Sequence, residues 1–179
     1  MQLDRFTQRS REALEAALRG AADRHHTEAT PEHLLWALLD QPEGIVTPVL
    51  TRAGADVGGV RRVLGAALEV LPTVTAGARE PATARELLDV LRDAEREAGR
   101  MHDDYISTEH VLLALASSQT PAGAALRDAG AARTPLQGAV DAVRGPHRVT
   151  DPNPEDKYQA LDKFGRDLTG AAREASSTR

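Results

Sequence analysis

The segment Thr30-Pro31-Glu32-His33-Leu34-Leu35-Trp36-Ala37-Leu38 returns as Ser107-Thr108-Glu109-His110-Val111-Leu112-Leu113-Ala114-Leu115, 77 positions further along the chain. The same spacing pairs Leu14 with Leu91, Ala17 with Ala94, Arg19 with Arg96, Ala21 with Ala98 and His25 with His102. An ungapped match of this length marks a tandem duplication, and duplicated units stack to bury a face that neither covers alone. The 179 residues suffice for two small bundles sharing one core.

Each copy has helical punctuation. Residues 3–24 carry Phe6, Ala13, Leu14, Ala17, Leu18 and Ala21 at three- and four-residue spacing, which predicts a first helix. Thr30 is suited to an N-cap, Pro31 to the first helical position and Glu32 to the positive end of the dipole, so a second helix should run to about Asp40. Gln41-Pro42-Glu43-Gly44 breaks the chain; a short helix follows over 45–52, and Val60, Val63, Leu64, Ala67, Leu68 and Leu71 pattern a fourth. The second copy repeats the plan over 84–100, 107–117, 121–128 and 134–143, with Ala129-Gly130-Ala131 matching Ala53-Gly54-Ala55. With 3% aromatics and few β-branched runs, the fold class is all-α: two tandem four-helix repeats packed as a pseudo-twofold double bundle, plus a C-terminal linker helix. The division reads as 1–71 repeat one, 72–83 inter-repeat linker, 84–144 repeat two, 145–154 a Pro-rich linker, and 155–179 a helix with Tyr158, Leu161, Phe164 and Leu168 on one face.

Composition narrows the function classes. Without cysteine there is no disulfide framework, thiolate metal site or Cys nucleophile. The start lacks the apolar core of a signal peptide, and no run approaches the ~18 apolar residues of a membrane span, so a cytoplasmic protein without a membrane partner is expected. A formal charge of −5 and the lack of a basic patch with interleaved aromatics argue against nucleic acid. The only lysines, Lys157 and Lys163, each follow an aspartate, so the chain has no P-loop and is not expected to hydrolyse ATP or to act as an enzyme. The six histidines show no His-Glu-x-x-His spacing; His33 and His110 occupy one repeat position beside a cap, which favours a structural role over a metal site. Glu32 and Glu109 could be imagined as a carboxylate pair, but no Ser, Cys or oxyanion loop accompanies them. Trp36 reads as buried packing.

Leu3-Asp4-Arg5-Phe6-Thr7, the two (Thr/Ser)-x-Glu-His-(Leu/Val)-Leu copies, the Ala-Gly turns and Tyr158-Gln159-Ala160-Leu161-Asp162-Lys163-Phe164-Gly165-Arg166-Asp167-Leu168-Thr169 resemble the N-terminal domain of the Clp/Hsp AAA+ unfoldases, in particular the ClpB subfamily of disaggregases. The resemblance covers nearly the whole chain and implies a substrate-recognition module. Such a module binds exposed apolar segments of unfolded or aggregated polypeptides weakly and passes them to an ATPase ring. It places Thr7, Asp103 and Glu109 at the surface where such segments are engaged, with Leu3, Phe6, Leu14, Leu91, Val111 and Leu113 as candidates for an apolar seam between the repeats. No cofactor is implied for this chain; ATP and Mg belong to the parent's ATPase modules, as do the homohexamer, a coiled coil and the DnaK chaperone system as partner. The isolated domain should be a monomer whose mobility is set by the linker at 145–154.

After Ala172-Arg173-Glu174 the family pattern would enter the first ATPase module, whereas here Ala175-Ser176-Ser177-Thr178-Arg179 follows, so an excised domain and a stand-alone Clp N-like protein are both open. Three rivals stand beside the disaggregase reading: an adaptor-binding regulatory domain of the ClpA/ClpC type, a metal-dependent hydrolase, and a structural part of an oligomer.

Overall fold

A computed structural model describes residues 3–75 and 79–158. Helix α1 spans Gln8–Asp23, α2 Pro31–Asp40, α3 Val46–Arg52 and α4 Val57–Glu69; the second set is α5 Arg85–Arg100, α6 Thr108–Ser117, α7 Pro121–Asp128 and α8 Arg133–Arg144. The all-α, four-plus-four reading therefore holds among the described residues. Residues 154–158 are helical, and the rest of the helix expected over 155–179, with Leu161, Phe164 and Leu168, lies outside the described residues, as do residues 76–78 of the inter-repeat linker.

The first helix differs from its predicted extent. Leu3–Arg5 forms a separate 3-10 turn, and Thr7 caps α1, its side-chain oxygen accepting from the Ser10 amide. Phe6 stays outside the helix because the backbone on either side of it is used elsewhere: the Thr7 amide donates to the Ile106 carbonyl (3.0 Å) and the Ile106 amide to the Arg5 carbonyl (2.8 Å). The same crossing occurs in mirror fashion. The short strands β1 (Glu28–Ala29) and β2 (Ala82–Thr83) pair in parallel, Ala29 opposite Thr83. Phe6 and Ile106 are the repeat equivalents of Thr83 and Ala29, so each repeat lends the segment before its first helix to the loop of the other. Periodicity cannot show such a pairing, because it joins residues far apart in sequence.

The repeats also pack symmetrically. α1 lies on α2 as α5 lies on α6, and between repeats α4 meets α7 while α3 meets α8. The amide of Asp56 bonds the Ala129 carbonyl at this junction, where Gly54 and Gly130 close α3 and α7 with φ of 84° and 97°. One continuous apolar core results, including Leu35, Leu50 and Leu64 of repeat one with Leu112, Leu126 and Val140 of repeat two. Eight short helices hold their shape by sharing this core, since few are long enough to persist alone.

Candidate functional site

Both copies end their first helix identically. His25 and His102 take a left-handed φ of 57°, and the following amides of His26 and Asp103 bond back to Ala21 and Ala98. This is a Schellman turn made without glycine. It aims the side chain of His26 or Asp103 under the start of the next helix, where His33 or His110 waits. The backbone N–H of Thr30 donates to His33 Nδ1 (2.9 Å), and that of Ser107 to His110 Nδ1 (2.8 Å), so histidine fills the place that Glu or Gln usually takes in a capping box. With Nδ1 accepting, Nε2 of each ring is the donor. His33 Nε2 lies 2.7 Å from His26 Nδ1, and His110 Nε2 lies 2.6 Å from Asp103 Oδ2.

Here the copies diverge. In repeat two, Asp103 also accepts two hydrogen bonds from Arg144 (2.8 Å each) and one from the Val149 amide (2.9 Å). Burial disfavours the charged carboxylate, yet bonds from His110, Arg144 and Val149 more than offset that and hold its pKa well below the usual range. In repeat one the equivalents are His26 and the fully buried Leu68, 76 positions before Arg144. Burial, with His26 and Arg24 nearby, pushes His33 down to about 4. Repeat one is thus a neutral pair under an apolar cover, and repeat two a buried charged network.

That network reaches the C-terminal segment. Gly145 leaves α8 at φ 64°, ψ −148°, a conformation suited to glycine, and turns the chain back over the domain. Val149 is buried, its carbonyl accepting from the Asp104 amide, and the Pro152 carbonyl accepts from the amide of Gln8. Glu155 Oε1 accepts from Thr7 Oγ1 (2.7 Å) and from the Thr108 amide at the start of α6 (3.1 Å). Tyr158 is buried with its ring 5.7 Å from the Arg144 guanidinium. Glu109 has both carboxylate oxygens buried and without hydrogen-bond partners, Arg144 standing 3.6 Å away. The linker expected to set the mobility of the domain is therefore docked on it.

Several expected positions need correction. Thr7, Asp103 and Glu109 do come together, but beneath residues 147–158, not at the surface; Thr7 and Glu109 are at most 1% exposed. Phe6, Leu91, Val111 and Leu113 are buried because the crossed pairing and the α5–α6 contact consume them. Leu14 is half-buried, and of the apolar six only Leu3 is exposed. Glu32 is buried by reaching across the seam, its Oε2 accepting from the Ala122 amide at the start of α7 (3.3 Å), and burial raises its pKa. Among the described residues no group of three His, Cys, Asp or Glu is placed to hold a metal.

The accessible depression lies in repeat one. A groove of about 540 Å³ runs between α1 and α2, with Ala16, Gly20, Ala37, Leu68 and the Trp36 ring among its walls. Trp36, expected in the core, is half-buried here, with the Arg24 and Arg61 guanidinium groups each 5.6 Å from its ring centre. Charges of both signs, such as Glu12, Asp23, Arg9 and Arg19, form the rim. The matching place in repeat two holds only about 250 Å³. Glu97 stands there where Gly20 stands in repeat one, and it is gripped by Arg133 (2.7 and 3.0 Å) and Arg100 (2.7 Å). A Cβ on Gly20 would meet nothing within 4 Å. Comparing the two copies for changes of size and charge, Gly20 with Glu97 and Leu68 with Arg144, is the sequence signal that could have found both the groove and the network.

The family model described as the Clp repeat (R) N-terminal domain matches residues 5–129. Chaperone protein ClpB of Mycobacterium tuberculosis is 40% identical over 168 residues, covering 94% of this chain and 20% of that protein. The chain therefore spans about a fifth of the length of the curated relatives it matches. The Hsp104 N-terminal domain from Candida albicans superposes with a TM-score of 0.73 at 21% identity, covering 84% of this chain and 98% of the other. A ClpV N-domain in complex with a VipB peptide superposes with a TM-score of 0.64 at 24% identity, covering 78% and 86%.

Proposed function

The chain belongs to the Clp repeat N-terminal domain family and is ClpB-like, and from that premise we propose that it is a substrate-recognition module that holds exposed apolar segments of unfolded or aggregated polypeptides for an ATP-driven disaggregase. The observation that carries this reading is the open groove of repeat one. Its walls offer apolar surface and the Trp36 ring flanked by Arg24 and Arg61, while rim charges of both signs keep the opening soluble and tolerant of different sequences. A shallow groove of this kind gives weak contact with little sequence demand, which suits capture followed by handover. The fold shared with a ClpV N-domain described in complex with a peptide supports a peptide as occupant. Assembly with a hexameric ATPase, and with the DnaK system, belongs to the same reading.

This places capture on α1 and α2 rather than on Thr7, Asp103 and Glu109, which the C-terminal segment covers. The test is a titration of the chain with an unfolded casein, followed by Trp36 fluorescence and amide shifts. Shifts along Glu12, Ala16, Gly20 and Trp36 are expected, with affinity reduced at least tenfold in Gly20→Glu, which gives repeat one the residue that narrows repeat two. Saturable binding that leaves these amides unmoved would place capture elsewhere. An adaptor-type role would show instead as tight 1:1 binding of a folded protein.

A further inference from the structure

Residues 147–158 are joined to the rest of the domain by a specific set of contacts, unlike a linker that merely lies on a surface. Four backbone amides at its contact line are satisfied by it or anchor it: Gln8 to Pro152, Asp104 to Val149, Thr108 to the Glu155 carboxylate, and Val149 to the Asp103 carboxylate. Val149, Pro154, Glu155 and Tyr158 are the residues it buries. Between these anchors His147, Arg148 and Thr150 are exposed. The weak point is Glu155. One of its oxygens is bonded twice, but Oε2 is buried without a hydrogen-bond partner, and it is sealed in with Glu109, whose oxygens accept no hydrogen bond and have only the Arg144 guanidinium 3.6 Å away. Two carboxylates enclosed together, away from water, cannot both carry charge cheaply.

We propose that residues 147–158 form a clasp that docks and releases as a unit, with Glu155 as its latch, covering Thr7, Asp103 and Glu109 when closed. Release frees twelve residues able to span up to about 40 Å, so whatever follows residue 158 gains that reach relative to the bundle. The inference is independent of what occupies the groove.

The latch couples docking to protons. Burial first, and then the Glu109 charge, push the Glu155 carboxyl up to about 7 in the closed state. In the open state it returns to the ordinary carboxylate range. The closed form therefore binds a proton that the open form lacks, so closure is tightest in mild acid and weakens as pH rises toward 7. The groups beside Glu155 are Thr7 at the N-cap of α1, the Thr108 amide and Glu109 of α6, and Tyr158 of the clasp itself; Asp103, His110 and Arg144 form the network next to Glu109. Asp103 stays ionised, since its pKa is held far down, and the pKa values of Arg144 and Tyr158 are raised further above neutrality. His110 needs its Nδ1 lone pair for Ser107. Arg9–Asp156 and Lys157–Asp151 are exposed pairs at the clasp's outer edge, and His147 stands at its head.

Hydrogen exchange of the Gln8, Asp104 and Val149 amides in the 179-residue chain, corrected for intrinsic rates, reads the open fraction directly. Their protection should fall on the order of 50-fold from pH 5 to pH 8, while that of Leu64 in repeat one stays constant. Glu155→Gln keeps an acceptor for Thr7 and Thr108 but removes the charge, so protection should be high and level across the range; Glu109→Gln should flatten the profile from the other side. Both variants leave His147 intact, which separates its titration from that of the latch. Protection that is level in the unaltered chain, or that keeps its slope in Glu155→Gln, or that is lost in Glu155→Gln at every pH, would overturn the proposal.

Discussion

The two repeats share a backbone plan and differ in what they do with one corner. At the end of the first helix, repeat one places His26 against His33 under Leu68; repeat two places Asp103 against His110 under Arg144. The apolar corner needs no further partner and leaves the groove beside it open. The charged corner would be unsatisfied alone, and residues 147–158 complete it. A duplicated fold thus keeps one copy's groove exposed while the other gathers the chain's own continuation. The lesson is that equivalent positions diverge in function through charge, at places where the helical pattern is unchanged.

Removing the cation from the charged corner should have the largest effect. Arg144→Leu leaves Asp103 and Glu109 buried without it, and a loss of about 3–5 kcal/mol in urea unfolding is expected. Asp103→His combined with Arg144→Leu rebuilds the repeat-one corner in repeat two and should cost clearly less than the sum of the single changes. Additivity of the two would mean that the corners are not equivalent.

Acid should separate the repeats next. His33, with its pKa depressed to about 4, is neutral in the folded state and protonated in the unfolded chain at mildly acidic pH. The stability it contributes is full above the ordinary histidine pKa near 6.5 and is lost as pH falls from there toward 4, by about 3 kcal/mol. Amide exchange at Thr30 should therefore rise in acid before exchange at Ser107, where the Asp103 carboxylate, held well below the usual range, stands in the place of His26. Equal acid sensitivity at the two caps would break the comparison. Gly20→Glu, chosen to narrow the open groove, should leave stability within about 1 kcal/mol while weakening peptide capture, since the new side chain enters free space on a helix. The smallest effect is local: His25→Gly and His102→Gly should each stabilise their helix end by up to about 1 kcal/mol in thermal unfolding, by relieving a left-handed residue.

Much of the molecule was legible beforehand for a physical reason. Helix starts at Thr30 and Ser107, the Pro31 and Pro121 entries, and the α3, α4, α7 and α8 repeats of apolar residues are local signals, readable within one or two turns of backbone. The start of α1 departs from the helical period because Phe6 fits that period while its neighbours Arg5 and Thr7 bond Ile106 of the other repeat. Thr7, Asp103 and Glu109 lie near one another, and their burial depends on Glu155, Val149 and Tyr158, which join them from more than forty residues away in the case of Asp103. Trp36 was misplaced because aromatic character predicts burial on average, and the wall that would have covered it is absent where Gly20 replaces a larger side chain.

By itself the sequence determined a duplicated all-α unit, because capping chemistry, apolar period and repeat identity are encoded in neighbouring residues, and its motifs resemble the Clp repeat family whose model it matches. Which side chains meet solvent was decided only in three dimensions. Exposure depends on long-range packing: the crossed segments at Phe6 and Thr83 seal the seam, Gly20 opens a groove that Glu97 narrows in the other copy, and a docked tail buries the charges of repeat two.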